Sequence, residues 1–336
     1  MSDPGVSGVA TTTKRGKRID VSIVIVNWKV TDKLKKCIDS VVDTAMGVQY
    51  EVFVIENSPD SKDFDELMRE YSGNGDLTFL KNTTNEGGVA VNRIASRMKG
   101  RYLLMLGPDV IVLDSALQKM VAFMDSMSQA GAASAKLVNP DGSPQMYYYK
   151  LWDISMVFYV DTILGRVIDR IFFLNGKRKY YFGMNLDVNS VIELDQPPAA
   201  CLMFRPELLL RDGYIIDPLF PFYYNDVDCC KRVWNSGYRV YLIPSASVIH
   251  DQGASFKKTD VLWKRREYSK GQMRYFRKYY PNNIKWLKLI RILDSFLRVL
   301  AYVVVGGLMR RKMNDSVSIR DRVRNELAIM KNCIVS

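Results

Sequence analysis

A run of β-branched residues at 21–26, interrupted only by Ser22, is the feature that most restricts the fold of this 336-residue chain. Such a run is typical of a strand that is buried on both faces, as in a parallel sheet. Similar apolar runs recur at 51–55, 77–80 and 102–106, and segments with helical spacing of apolar residues separate them. This alternation predicts an open α/β sheet with right-handed crossovers.

Polar residues stand directly after the strands of this predicted sheet. They are Asn27, Glu56, Asn57, Asn85 and Asp109. Open α/β sheets bind their ligands outside the carboxyl ends of the strands, so these side chains are predicted to form one ligand-binding cluster. Gly87 and Gly88 follow Asn85, and a glycine pair suits a turn that needs a positive φ or a close approach of the backbone to a ligand.

The stretch 220–250 predicts a second group of functional side chains. Asn225 suits an N-cap, and Asp226 and Asp228 fall in the first turn of the following helix, where negative charge is favourable. The strands after this helix end on His250, the single histidine of the chain. Acidic residues at a helix start are more often structural, and a lone histidine after an apolar run is more often a core residue. From this stretch alone, a catalytic and a structural interpretation both stay open.

The net charge limits the classes of partner, and the cysteine content indicates the cellular compartment. A net charge of +12 favours an anionic partner, which is a phosphorylated ligand, an acidic lipid surface or a nucleic acid. The five cysteines form an odd number without metal-site spacing, which predicts reduced thiols and a cytosolic protein. The basic N-terminus lacks an apolar stretch, so no signal peptide is expected.

Composition divides the chain into three parts. Residues 1–18 are small, polar and finally basic, which predicts a disordered arm. Residues 19–260 hold the α/β domain. Within it, the aromatic and apolar stretch 141–190 predicts either a local helical subdomain or a surface that contacts lipid or a lipid-linked substrate. Residues 261–336 are basic and helical in pattern.

The C-terminal part predicts a helix at a membrane surface. Within 284–298 the charged residues fall close to one helical face, and 299–309 is uncharged but shorter than the roughly 20 residues of a membrane-spanning helix. This composition is typical of an interfacial helix on an anionic leaflet, so peripheral attachment to the cytoplasmic face of the cell membrane is expected. The alternative is a C-terminal helix that packs on the main domain.

Seven motifs in a specific order extend the interpretation to a family. They are VSIVIVNW, IENSPD, NEGGVAVNRI, LMLGPDVIVLD, DGSPQ, DQPPAACLMFR, and FPFYYNDVDCCKR with GYRVYLIPSASVIHDQGAS. Together they resemble the inverting family 2 glycosyltransferases with a GT-A fold, in particular the bacterial rhamnosyltransferase-like branch, and the resemblance covers approximately residues 21–281. The resemblance implies a Rossmann-like nucleotide-binding open sheet, to which the basic amphipathic helical region is a C-terminal extension.

The resemblance implies roles for residues on the donor side. Those expected to bind the nucleotide or its diphosphate are Asn27, Glu56, Asn57, Asn85, Gly87, Gly88, Asn92, Asp109, Arg265 and Arg266. Glu56 stands where the family usually has an aspartate that binds the nucleotide base, and Asn27 and Asn57 lie beside that pocket. Arg265 and Arg266 are expected to grip the diphosphate.

The resemblance also implies the metal site, the base and the acceptor side. Asp109 matches the last acid of the DxD-type metal motif, and His250 completes a site for Mg²⁺ or Mn²⁺. Because the first acid of that motif is absent, fewer protein ligands than usual are expected. Asp226 matches the general base. Gln145 and Asp228 are assigned to the sugar or acceptor, and Asp228 also suits a role in supporting structure or orienting the base.

The expected function is inverting transfer of a sugar onto a polyprenyl-diphosphate-linked saccharide in cell-surface polysaccharide synthesis, with dTDP-L-rhamnose as the favoured donor. Galactofuranosyl or N-acetylglucosaminyl transfer from a UDP-sugar is the alternative on the same scaffold. A nucleotidyltransferase usually has a Gly-rich loop with a basic residue after the first strand, where this chain has Asn27 and Trp28. The basic segment 264–280 suggests a nucleic-acid-binding protein, but that class explains neither the strand-end acids nor His250, so no nucleic acid partner is expected.

Overall fold

The computed structural model describes residues 18–146, 148–251, 259–308 and 317–335, and four parallel strands form the first half of its central sheet. These strands are β1 Val21–Asn27, β2 Tyr50–Glu56, β3 Leu77–Lys81 and β4 Tyr102–Leu106. The helices that connect them are α1 Thr31–Thr44, α2 Lys62–Glu70 and a 3₁₀ helix at Gly87–Ile94. The predicted alternation of strands and helices is confirmed.

The β-branched run at the start of the sheet is buried on both faces, as predicted. Ile23 and Ile25 pack with Leu34 of α1 in the core on one side of the sheet. Val24, which points the other way because side chains alternate along a strand, packs with Ile94 in the second core. The strand is therefore central, and its carboxyl end lies at the middle of the sheet edge.

The second half of the sheet is mixed in direction. Its elements are β5 Val110–Val112, α3 Ala116–Ser126, β6 Ala130–Val138, β7 Ile192–Glu193, β8 Cys201–Phe204, α7 Pro206–Leu210, α8 Asn225–Asn235 and β9 Arg239–His250. The strand order is β3-β2-β1-β4-β8-β6-β9-β5, and β7 pairs with β9. Strand β8 runs antiparallel between β4 and β6, while β5 runs antiparallel to β9. This arrangement confirms the predicted α/β class with a GT-A-like open sheet.

The remaining helices pack on one another and on the loop before α8. They are α4 Ile154–Met156, a π-helix at Val157–Asp161, α5 Ile163–Phe172, α6 Gly176–Tyr181, α9 Val261–Tyr279, α10 Ile284–Leu308 and α11 Ile319–Val335. Trp152, Tyr224, Phe276 and Leu287 belong to the hydrophobic core that joins these helices to the loop before α8. Among the described residues, no helix has both the length and the apolar character needed to cross a membrane. The predicted arm at 1–18 lies outside the described residues except for Arg18.

A network of buried charges fastens α8 to α9. The fully buried carboxylate of Asp228 accepts hydrogen bonds from Arg232 Nε at 2.9 Å, Lys278 Nζ at 2.6 Å and the Tyr279 hydroxyl at 2.7 Å. Lys278 also pairs with Asp217 at 2.7 Å, and these carboxylates raise its pKa. Three hydrogen-bond donors of the protein thus contact the Asp228 carboxylate. The structure does not bring this carboxylate to a sugar or acceptor, and these contacts fit the predicted role in supporting the structure.

We expect Asp228→Ala to lower the free energy of unfolding by about 3–5 kcal/mol, because it removes the carboxylate 2.9 Å from the buried guanidinium of Arg232, whereas Lys278 keeps Asp217. Urea unfolding followed by circular dichroism measures this change. Asp114→Ala is the matched control, since Asp114 is exposed and its loss is expected to change stability by about 0.5 kcal/mol or less. Equal unfolding midpoints for the two variants would contradict a stabilising role for the network.

Candidate active site

The carboxyl ends of the first two strands meet in a buried polar cluster. The parallel register places Asn27 beside Glu56, and Asn27 Nδ2 donates to Glu56 Oε2 at 2.6 Å. The backbone N–H of Ser58 donates to the other carboxylate oxygen at 2.7 Å. Burial raises the pKa of Glu56, although these hydrogen bonds oppose the shift. Next to the pair, Asn57 Nδ2 donates to the carbonyl of Gly87 at 3.0 Å.

A cavity of about 730 Å³ opens over these strand ends. Its walls include Trp28, Asn57, Asn85, Gly87, Gly88, Phe222, Tyr223, Asn225, Asp226 and Trp263. Four of the predicted donor residues are therefore in the wall, whereas Asn27 and Glu56 are fully buried behind it. Three aromatic residues of the wall, Trp28, Phe222 and Trp263, were not among the predicted site residues. Flat aromatic faces suit a nucleobase, and the position of Trp28 directly after the first strand was the available signal.

The Gly87–Gly88 pair allows the loop before α8 to approach the sheet edge. Gly87 has φ +60°, as the sequence predicted. A Cβ on Gly87 would overlap the carbonyl oxygen of Pro221, and one on Gly88 would overlap the side-chain amide of Asn225. Gly88 N–H donates to the same Pro221 oxygen at 2.6 Å. The backbone that approaches the glycine pair is thus that of the protein's own loop. This contact positions the start of α8 over the first cavity.

Asp226 stands in the first turn of α8 and lines the cavity. Tyr224, with φ +68°, turns the chain into the helix. Asn225 Oδ1 accepts from Asp226 N–H at 2.7 Å, and Asp226 Oδ1 accepts from Val227 N–H at 2.8 Å. Asn225 therefore acts from inside the first turn rather than as the N-cap. Burial raises the pKa of the Asp226 carboxyl, which makes it a stronger base than an ordinary aspartate.

A second cavity, of about 900 Å³, lies on the other side of Asp226. Its aromatic walls are Tyr149, Trp152, Phe182, Tyr223, Tyr224 and Tyr268, and its polar residues include Asp109, Asp161, Gln196, Asp226, His250 and Lys264. Pro108, Tyr223, Tyr224 and Asp226 line both cavities. A carboxylate of raised pKa thus stands where two chambers meet, which is the arrangement that a reaction between two substrates requires.

Pairing of β5 with β9 brings Asp109 and His250 together at this junction. The antiparallel register places Val110 opposite His250, and Asp109 Oδ1 lies 3.7 Å from His250 Nε2. Two atoms at that separation can both reach a cation at roughly 2.1 Å, so these residues fit a divalent ion. No group of three or more His, Cys, Asp or Glu side chains suited to a metal occurs in the described part of the chain. Other ligands would have to come from substrate or water.

Gln145 fixes the orientation and tautomer of His250. Its Nε2 donates to the backbone oxygen of His250 at 2.6 Å and to Asn139 Oδ1 at 2.8 Å, so its Oε1 is the atom 2.9 Å from His250 Nδ1. Because Oε1 only accepts, the proton is on Nδ1 and the lone pair of Nε2 faces Asp109. Burial lowers the pKa of His250 and favours the neutral ring that binds metals. Gln145 was predicted near the sugar or acceptor, and it lies instead behind the histidine.

Besides Asn27 and Glu56, three more residues predicted at the donor are not in the wall of either cavity, namely Asn92, Arg265 and Arg266. Arg265 Nη2 donates to Glu326 at 2.8 Å and Arg266 Nη1 donates to Asn325 at 2.8 Å, so both side chains face α11. Asn92 Nδ2 donates to the Ile216 carbonyl at 2.7 Å, and its Oδ1 accepts from two backbone N–H groups. The hydrogen-bonding groups of all three are thus used within the fold, and the structure does not bring them to the first cavity.

Comparison with known proteins gives a family match in the first half of the chain. Residues 22–183 match the family model described as Glycosyl transferase family 2. The poly(ribitol-phosphate) beta-glucosyltransferase of Bacillus spizizenii is 23% identical over 175 residues, which are 51% of this chain and 26% of that protein. The chain spans between 26% and 37% of the length of the curated relatives it matches.

Two solved structures share the fold at low sequence identity. The crystal structure of GalNAc-T7 with UDP, GalNAc and Mn²⁺ is 15% identical with a TM-score of 0.55, and the match covers 95% of this chain and 56% of that one. The mannosyltransferase PcManGT of Pyrobaculum calidifontis, in complex with GDP-Man and Mn²⁺, is 13% identical with a TM-score of 0.52. That match covers 95% of this chain and 87% of the mannosyltransferase.

We expect Gln145→Leu to weaken Mn²⁺ binding by about 10- to 100-fold, because the variant no longer fixes the His250 tautomer while both ligands remain. Isothermal titration of the full chain with Mn²⁺ measures the affinity directly. Gln118→Leu is the control, since Gln118 also donates to backbone carbonyls but lies on α3. Equal Mn²⁺ affinity in the two variants would show that Gln145 does not position the histidine.

Proposed function

We propose that this chain is a glycosyltransferase that moves a sugar from a nucleotide-sugar donor to a hydroxyl group of an acceptor. The observation that carries the proposal is the position of Asp226, which lines both cavities. The first cavity lies over the strand ends where open α/β sheets bind nucleotides. The family 2 match at 22–183 and the nucleotide-bound neighbours of the same fold support the assignment.

In the proposed reaction the donor occupies the first cavity and the acceptor the second. The acceptor hydroxyl gives its proton to the Asp226 carboxylate while its oxygen forms a bond to the anomeric carbon. At the same time the bond from that carbon to the diphosphate oxygen breaks, and its electron pair leaves with the nucleoside diphosphate. Attack from the face opposite the leaving group inverts the anomeric configuration.

Asp109 and His250 are the residues that would hold Mg²⁺ or Mn²⁺ beside the leaving group. Their separation of 3.7 Å and the tautomer imposed by Gln145 support this assignment. When bound, a divalent cation supplies neutralising charge for the departing diphosphate. Both neighbouring structures of the same fold contain Mn²⁺.

The favoured donor is dTDP-L-rhamnose, with a UDP-activated galactofuranose or N-acetylglucosamine as the alternative. The basis is the resemblance of the motif at 220–232, where Asn225 precedes the base. Asn225 also lines the first cavity beside Asp226. In this proposal Trp28 packs against the nucleobase while the buried Asn27–Glu56 pair supports that wall from behind.

The proposed acceptor is a polyprenyl-diphosphate-linked saccharide of cell-surface polysaccharide synthesis, used at the cytoplasmic face of the membrane by a peripherally attached enzyme. Aromatic walls of the second cavity suit sugar rings, and the helical insertion contributes Trp152 and Asp161 to that cavity. A nucleic acid partner has less support, because basic residues of segment 264–280 are used inside the fold. Arg265 pairs with Glu326, and Lys278 pairs with Asp217 and Asp228.

Thermal unfolding against a panel of nucleotide sugars tests the proposal. A donor present at 100 times its dissociation constant is expected to raise the free energy of unfolding by about 2.7 kcal/mol. Each nucleotide sugar is measured with Mn²⁺ and with a chelator. We expect one donor to give a shift that the chelator reduces, and the absence of a shift with every nucleotide sugar would overturn the proposal.

We expect Asp226→Asn to abolish transfer, to retain donor binding and to raise the melting temperature at pH 7. Because folding raises the pKa of Asp226, ionisation of this carboxyl opposes folding at neutral pH, and the neutral amide removes that cost. The gain in stability should disappear as the pH falls below the ordinary aspartate pKa of about 3.9, where both side chains are uncharged. Calorimetry from pH 3 to pH 8 measures the difference. Turnover close to that of the unmodified chain would contradict the role as base.

A further inference from the structure

Helix α10 buries a face that carries charged residues as well as Leu287, and its exposed face is apolar. Arg291 and Asp294 are almost completely buried. Arg291 Nη2 contacts Asp161 Oδ2 at 2.6 Å, and Arg298 Nε contacts Asp294 Oδ2 at 2.7 Å. This is the reverse of the usual surface helix, which turns its apolar stripe towards the core. The exposed side of α10 therefore needs a partner.

The exposed side of α10 is a continuous apolar stripe. Its members are Trp286, Leu289, Leu293, Phe296, Leu300, Val303 and Val304, all of them exposed. They recur every three or four residues, so they share one face of the helix. The stripe runs from 286 to 304, about 27 Å along the helix axis.

A second exposed apolar element lies next to this stripe. Leu164, Val167 and Ile171 are exposed at helical spacing on α5, and the turn formed by the last residue of α5 and the two residues after it exposes Phe172 at 72% and Leu174 at 77%. Helix α5 is fastened to α10 where Ile163 N–H donates to Asp294 Oδ1 at 2.7 Å. We call the exposed apolar residues of these two elements, 164–174 and 286–304, the α5–α10 surface.

The charges that the two segments of the α5–α10 surface expose have one sign. Segments 163–181 and 284–304 contain two acids, Asp169 and Asp294, and both are buried. Asp169 accepts from the backbone N–H groups of 177 and 178, and Asp294 pairs with Arg298. Exposed basic residues remain, among them Arg170, Lys179 and Lys285. An apolar surface bordered by positive charge complements a partner that is apolar inside and anionic outside.

The same surface continues into the second cavity. Val160 and Asp161 line that cavity, and Leu164, three residues further, is exposed on α5. Arg298 Nη2 donates to the Asp161 carbonyl at 2.9 Å, which connects α10 to the cavity wall. A partner that covers the α5–α10 surface is thus placed beside the chamber assigned to the acceptor.

We infer that the α5–α10 surface docks on an anionic lipid bilayer, with α10 lying in the plane of the interface and the turn at 172–174 inserted among the lipids. Binding of the bilayer is inferred from the α5–α10 surface alone. The identity of the acceptor beside this surface rests on the proposed function. A second copy of the chain is the rival occupant, because spacing of three and four residues also suits a coiled coil. Association of two copies would bring their positively charged borders together. It would also leave the exposed apolar turn at 172–174 without an explanation. Both points favour the bilayer.

Co-sedimentation of the full chain with vesicles tests this inference. Vesicles of phosphatidylcholine alone are compared with vesicles of phosphatidylcholine and phosphatidylglycerol at about 3:1. We expect at least tenfold tighter binding to the anionic vesicles, since each basic residue near the surface contributes about fivefold. The preference should shrink at about 1 M salt, where the Debye length is about 3 Å. Equal binding to both vesicles, or none to either, would overturn the inference.

The double variant Phe172→Glu with Phe296→Glu is expected to reduce binding to the anionic vesicles at least tenfold. Met46→Glu is the matched control, because Met46 is 78% exposed in the loop after α1 and lies outside the α5–α10 surface. All three replaced side chains are exposed, so equal melting temperatures confirm that the variants fold. Vesicle binding that survives the double variant contradicts the inference.

Two further measurements keep this inference separate from the proposed function. Sedimentation velocity without lipid reports self-association, and a dimer that the double variant abolishes would assign the surface to a second copy. The thermal shift with nucleotide sugars reports the donor site and should be the same in the double variant and the unmodified chain. Vesicle binding without any nucleotide-sugar shift would retain the docking surface and overturn the function.

Discussion

The close approach of the Pro221 backbone to Gly87 and Gly88 determines where the site can form. One hydrogen bond, from Gly88 N–H to Pro221 O at 2.6 Å, joins the strand-end edge of the sheet to the loop that precedes α8. A side chain at Gly87 would overlap the Pro221 backbone and separate the elements, whereas one at Gly88 would displace the side-chain amide of Asn225. Because Asp226 follows this loop within a few residues, the same contact decides that its carboxylate lies between the two cavities.

The strand-end cluster was predictable because the sequence shows where each strand ends, and parallel strands end at the same edge of the sheet. A buried run followed by a polar residue places Asn57 and Asn85 at the same edge without further information. The pairing of Asp109 with His250 depends on β5 lying against β9, which local patterns do not specify. Only the order of the motifs placed these two residues together before the structure was known.

Side-chain direction in the helical region was not predictable from local sequence. Arg265 is close in sequence to the site, but its partner Glu326 comes from a helix 61 residues further along the chain. Asp228 and Gln145 illustrate the same limit, since an acid at a helix start and an amide in a turn suit a ligand as well as a neighbouring side chain. An interfacial helix at 284–298 was predicted from composition, whereas the direction of its apolar face follows from the buried partners of Arg291 and Asp294.

A base that is open to two chambers does not by itself distinguish an acceptor hydroxyl from a water molecule. In the proposed reaction, water in the second cavity would be activated by Asp226 just as an alcohol is, and the donor would be hydrolysed. The large aromatic walls of that cavity therefore matter for fidelity as much as for affinity, because a bound saccharide excludes water from the carboxylate. The fraction of activated sugar that is lost to hydrolysis then depends on whether the acceptor binds before the donor reacts.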